Sequence, residues 1–113
     1  MGDNPEIMKT HQFEVAGVKF RAKAFKDAEV ARGDRLTLKR EPENKYDPKA
    51  IAVYKGEHHI GYVPRAHNQA LGEDMNREHG VCVDAVWKLG CWVVVNIKDD
   101  EAPGEEKAKE QEP

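Results

Sequence analysis

The run EPENKYDPKAIAVY, Glu41 to Tyr54, followed five residues later by HIGYVPR, His59 to Arg65, decides how the chain is read. Pro42 stops whatever strand precedes it, and Glu43–Asn44 supplies turn chemistry. Pro48 biases Asp47 toward extended backbone, so the carboxylate leaves the chain in a defined direction beside Tyr46. AIAVY (Ala50–Tyr54) is β-prone and apolar enough for a central strand. Lys55–Gly56–Glu57 is a tight turn, and HIGYV (His59–Val63) pairs back as a hairpin that Pro64 ends. A turn that sets an aromatic and a carboxylate beside a buried hairpin is expected to form one wall of a binding site.

Upstream, HQFEVAGVKFR alternates through Phe13 and Val15, breaks at Ala16–Gly17 and resumes with Val18 and Phe20. The pattern predicts a strand bent or bulged at Gly17. Lys19, Phe20 and Arg21 would close that strand, one aromatic between two cations. Ala22–Ala31 is read as a short helical turn or loop. Gly33–Asp34 then turns into a strand over Arg35–Arg40, with Leu36 and Leu38 inward and Arg35, Thr37 and Lys39 outward.

Downstream, Ala66–Glu78 reads as a short helix with Ala70, Leu71 and Met75 on one side. Gly72 is expected to weaken or split it and Gly80 to cap it. Val81–Trp87, with Val81, Val83, Ala85 and Trp87 on one face, and Leu89–Ile97 complete the strands. Trp87 is expected in the core, and Trp92 either in the core or as a groove wall. Five or six short strands, one helix and no βαβ repeat predict a mostly β fold with one or two short helices. Its expected form is a small closed or nearly closed antiparallel β-barrel.

The chain has 113 residues, enough for one domain with a modest core. We divide it into a flexible N-terminus (1–9), a folded domain (10–98) and a disordered acidic tail (99–113). No apolar run approaches a membrane span, and the first residues lack a secretion signal, so a cytoplasmic protein with reduced Cys82 and Cys91 is expected. The net charge of −3 conceals an uneven distribution. Lys19–Arg40 holds eight bases against three acids, whereas seven acids and two lysines follow from Asp99. Distribution, not the sum, governs affinity for nucleic acid.

Enzymatic patterns are thin. HExxH, a phosphate-binding glycine loop, GxSxG and paired zinc-knuckle cysteines are all missing from the sequence. His58 and His59 would face opposite sides of a strand, and His11, His67 and His79 are scattered. Asp47 with Glu41 or Glu43 offers carboxylates for a magnesium-dependent nuclease, but such residues in a polar turn more commonly form the turn. No cofactor is expected. Single-strand binding needs cations for phosphates and aromatic faces for bases. Lys19–Phe20–Arg21 has that mixture, and Tyr46, Tyr62, Arg65 and Trp92 are candidates to join it. For each aromatic the structural alternative stands: Phe20 is equally compatible with plain core, and Tyr46 with packing over the helix.

GVKFR (Gly17–Arg21), Gly33–Asp34, REPENKYDPKAIAV (Arg40–Val53) and IGYVPR (Ile60–Arg65) together resemble the HIRAN domain over about Phe13 to Ile97. That domain occurs in helicase-like fork-remodelling proteins and as short standalone bacterial and phage proteins. The resemblance implies a small modified OB-like antiparallel β-barrel that binds single-stranded DNA ends, pocketing the terminal nucleotide and its 3′-hydroxyl. By position it implies that Lys19 is the basic neighbour of a base-stacking aromatic, Phe20, and that Tyr46 stacks on the terminal base. It further implies that Asp47 accepts a hydrogen bond from the 3′-hydroxyl, and that Arg65 stands where a phosphate-binding lysine occurs. Arg21 replaces an aromatic of the fork-remodelling members, and Tyr62 stands where they can carry histidine. The final hairpin with Trp92 aligns poorly. The motor and RING zinc domains joined to those members have no counterpart here, so their ATPase, ligase and zinc chemistry is not carried over. The implied partners are a single-stranded DNA 3′ end and a replication or repair protein. The alternative is a protein-interaction module without DNA-end binding.

Overall fold

The computed structural model describes residues 7–99. The expectations of a loose N-terminus and an acidic tail fall mainly outside them, although residues 7–9 open the first strand and Asp99 closes the last. In chain order the elements are β1 (Ile7–Glu14), a 3-10 turn (Val18–Arg21), α1 (Ala22–Asp27), β2 (Thr37–Arg40), β3 (Ile51–Lys55) and β4 (His58–Tyr62). After them come α2 (Arg65–Asp74), β5 (His79–Trp87) and β6 (Gly90–Asp99). The fold is mostly β with two short helices, as the patterning predicts.

The strands form two antiparallel three-stranded sheets, ordered β1-β6-β5 and β2-β3-β4. β6 is the centre of the first because Cys91, Val93, Val95 and Ile97 alternate inward and all are fully buried. Ile51, Val53 and Ile60 do the same for the second sheet, and Phe13 and Leu71 fill the space between. Full burial of side chains of this size contributes about 1.5–3 kcal/mol each. The sheets do not close into a continuous barrel. Among the described residues two isolated bridges join them, Arg35 with Cys82 and Ala16 with Tyr62.

The second bridge positions the site. The Ala16 N–H donates to the Tyr62 carbonyl at 2.7 Å, and the Tyr62 N–H returns to the Ala16 carbonyl at 2.9 Å. This close approach requires Gly61, where a Cβ would stand 2.5 Å from Val15 Cγ1 and 2.6 Å from the Ala16 oxygen.

Several local expectations are corrected. Gly17 does not bulge a continuing strand; at φ 77° it ends the extended run and starts the 3-10 turn. Val18 is buried, Phe20 points to solvent at 81% exposure, and Phe25 takes the core place. Gly72 does not split α2. It is buried in the helix and its carbonyl accepts from the Arg40 guanidinium at 2.5 Å. The buried side of α2 is Asn68, Leu71, Gly72 and Asp74, with Met75 packed partly against the core and Ala70 exposed. Gly80 lies inside β5 and caps nothing. A register shift between Val83 and Ala85 breaks the inward alternation of β5, so Trp87 is 45% exposed and not core. Both cysteines are free, and burial pushes the Cys91 thiol up to about 11.

Candidate nucleic-acid interface

The 41–50 loop is built around two side chains. Asn44 Oδ1 accepts the N–H groups of Tyr46 (2.8 Å) and Asp47 (3.0 Å), while its Nδ2 donates to Glu41 Oε1 at 2.9 Å. This is the way an asparagine side chain replaces a missing backbone partner in a turn. Glu41 Oε1 also accepts the Tyr62 hydroxyl at 2.9 Å, which ties the loop to β4. The Asn44 hydrogen bond, with that of Tyr62 behind it, holds the Glu41 carboxyl below its usual range. Burial, then the Glu41 contact, pushes the Tyr62 phenol up. At neutral pH Glu41 is therefore ionised and Tyr62 protonated, the states their hydrogen bond needs.

Asp47 is held from three directions. Its Oδ1 accepts the Lys49 N–H at 2.9 Å, and its Oδ2 accepts Asn68 Nδ2 at 2.8 Å and lies 3.4 Å from Arg65 Nε. The Lys49 amide does most to keep the Asp47 carboxyl below its ordinary value; burial opposes it as the next effect, and Asn68 and then Arg65 add to the lowering. An ionised carboxylate offers about four acceptor positions. The three contacts leave Oδ1 able to accept one more donor.

This carboxylate lines a pocket of about 310 Å³ with Ala16, Asn44, Tyr46, Ala50, Tyr62, Val63, Arg65 and Asn68. Tyr46 is 90% exposed, so its ring is presented to solvent and does not pack over the helix. Arg65 is exposed at the first turn of α2. The Arg21 guanidinium sits 5.6 Å from the Tyr62 ring centre, and Lys19 Nζ 5.3 Å from that of Phe20. Of the eight residues named from the sequence, Tyr46, Asp47, Tyr62 and Arg65 thus share one pocket. Arg21 covers Tyr62, and Lys19 and Phe20 stand on the same 3-10 turn. Trp92 is not brought to them: on β6, its indole N–H donates to Gln12 Oε1 at 3.2 Å.

A second hollow of about 420 Å³ lies between the loop and α2, lined by Arg40, Lys49, Gln69 and Glu73 among others. It presents no aromatic side chain, and Arg40 and Lys49 in it are engaged with Gly72 and Gln69. The pocket beside Tyr46 has the better chemistry for a nucleotide. Sequence reasoning missed Asn68, which is only 4% exposed and aims its amide at Asp47. An asparagine among the inward positions of a short helix was the available signal.

The family model of the HIRAN domain matches residues 8–96. The HIRAN domain of human HLTF has a TM-score of 0.70 at 17% identity, covering 85% of this chain and 81% of that one. A protein from Lactobacillus plantarum gives 0.65 at 20% identity, over 83% and 99% of the two chains. No curated protein matches the sequence. The two structures speak to the fold alone; the family match speaks to kinship. This chain belongs to the HIRAN domain family, a membership that supports nucleic-acid binding in general.

Proposed function

We propose that this chain is a non-catalytic module that binds single-stranded DNA and recognises a free 3′-hydroxyl end. The observation that carries the reading is the Asp47 carboxylate, ionised and fixed by Lys49 and Asn68, with an acceptor position left beside the exposed Tyr46 ring. The terminal base stacks on Tyr46, and its 3′-hydroxyl donates to Asp47. Arg65 leaves its 3.4 Å contact with Asp47 for a phosphate oxygen, and Lys19 takes a second phosphate while Phe20 offers another stacking face. Selectivity follows from charge. A 3′-phosphate places an anion beside an ionised carboxylate and removes the hydroxyl donor, so it binds more weakly.

Fluorescence anisotropy with short oligonucleotides ending in 3′-hydroxyl or 3′-phosphate tests the proposal. Tighter binding of the hydroxyl form is expected, and Phe20→Ala should weaken both forms about fivefold or more. Affinity should fall with salt on a log–log slope of about −1.4 for two phosphate contacts. Equal binding of the two ends would overturn the end-recognition reading. Shortened products on adding magnesium would overturn the non-catalytic one.

A further inference from the structure

Next to the end pocket, the solvent-facing side of β3 and β4 carries a row of rings, of which only Tyr62 lines that pocket. His59 stacks on Tyr54 with centroids 4.8 Å apart and planes 14° apart, and meets Tyr62 edge-on at 4.9 Å. A one-residue register shift between Val53 and Tyr54 makes this possible: it pairs His59 with Tyr54 and leaves Ile60 for the core. Because the Gly61 carbonyl can only accept, His59 Nε2, at 3.0 Å from it, carries the proton. Burial first, and Arg21 second, lower the His59 pKa, so the ring is neutral at neutral pH and stacks as an uncharged heterocycle.

A cation closes the row at each end. Lys39 Nζ lies 4.9 Å from the Tyr54 centroid, and Arg21 covers Tyr62. Among the described residues neither cation makes an ion pair with a carboxylate within 4.0 Å. Tyr62 belongs to both this row and the end pocket, so the two surfaces are continuous.

We propose that this face is a second single-stranded DNA contact: a track on which Tyr54 and Tyr62, braced by His59 between them, receive bases upstream of the terminal nucleotide while Lys39 and Arg21 receive their phosphates. The proposal rests on the end-binding reading of the adjoining pocket. A pocket of about 310 Å³ has room for about one nucleotide, whereas OB-like folds engage about 4–16. The remaining strand must cross another surface, and this row begins at the pocket wall. In the free protein the cations occupy the outer ring faces. A phosphate draws each cation away and exposes the face to a base; stacking of a base outweighs an exposed cation–π contact, so the exchange favours binding.

The test is a length series of 3′-hydroxyl oligonucleotides, from a dinucleotide to about eight nucleotides, against the full chain and its Lys39→Ala and Tyr54→Ala variants. The wild type should gain affinity with length. Both variants should lose about fivefold or more on the longest oligonucleotide, keeping dinucleotide affinity and the preference for a 3′-hydroxyl. Lys39 is exposed at a strand edge, so its variant reports binding even if Tyr54→Ala unfolds. No gain with length, or a gain that both variants retain, would overturn the track and leave the rings as a cross-strand packing device. Equal binding of 3′-hydroxyl and 3′-phosphate ends by the wild type, with a length gain that both variants lose, would instead refute the end pocket and leave the track.

Discussion

Replacing Gly61 with alanine should separate the two sheets at the point where the site is assembled. The added methyl would meet Val15 Cγ1 at 2.5 Å and the Ala16 carbonyl oxygen at 2.6 Å. Val15 is fully packed, and the carbonyl belongs to a backbone bridge, so neither neighbour can yield cheaply. Overpacking of this kind costs about 1–3 kcal/mol, and weakening one bond of the Ala16–Tyr62 bridge adds about 1 kcal/mol. A total near 3 kcal/mol lowers the Tm of a domain this size by roughly 12–24 °C. Gly80→Ala is the control: its Cβ meets nothing within 4 Å, and a strand glycine replaced by alanine should hold or raise the Tm. Thermal unfolding followed by circular dichroism compares the two variants. A Gly61→Ala protein that melts like the wild type would refute the claim that close backbone contact here joins the sheets.

Other outcomes follow from the same geometry. Asn44→Ala removes an acceptor shared by two backbone N–H groups and a donor to Glu41. It should cost about 1–2 kcal/mol, and hydrogen exchange at the Tyr46 and Asp47 amides should speed up while that of β6 is unchanged. Acid stability should depend on Asp74, which accepts from His11 at 2.7 Å and pairs with Lys9 at 3.0 Å. The His11 contact first, then Lys9, lower its folded pKa. The unfolded chain therefore binds the proton more readily. The stabilisation is complete above the unfolded value of about 3.9 and is lost as pH falls through the lower folded value. In Asp74→Asn this part of the acid slope of Tm should disappear; an unchanged slope would contradict the assignment.

The hairpin and the loop before it were legible because their punctuation is local. Lys55–Gly56–Glu57 turns the chain, Pro42 and Pro64 bound the strands, and the alternation of Leu36 and Leu38 marks one face. Phe20 and Trp87 were not legible. A period of two is blind to whether the chain continues as a strand past Gly17 or coils into a 3-10 turn, and the shift after Val83 cannot be seen without a partner strand. Tyr46 and Asp47 stood out as the presented pair, but their support did not. Asn68 and Tyr62 each reach across 21 residues to hold Asp47 and Glu41. Contacts of that separation leave no periodic trace. The fold was legible to the same limit, since strand count predicts a small β-barrel, but joining by bridges and not by a closed ladder is a tertiary fact.

The most direct test of the account is the ratio of affinities for 3′-hydroxyl and 3′-phosphate ends in the wild type and in Asp47→Asn. The wild type should favour the hydroxyl end. Asp47→Asn removes the carboxylate charge but retains an oxygen, so it should shrink that ratio toward unity chiefly by tolerating the phosphate. The same preference in both proteins, or none in the wild type, would contradict the claim that Asp47 reads the end of the strand.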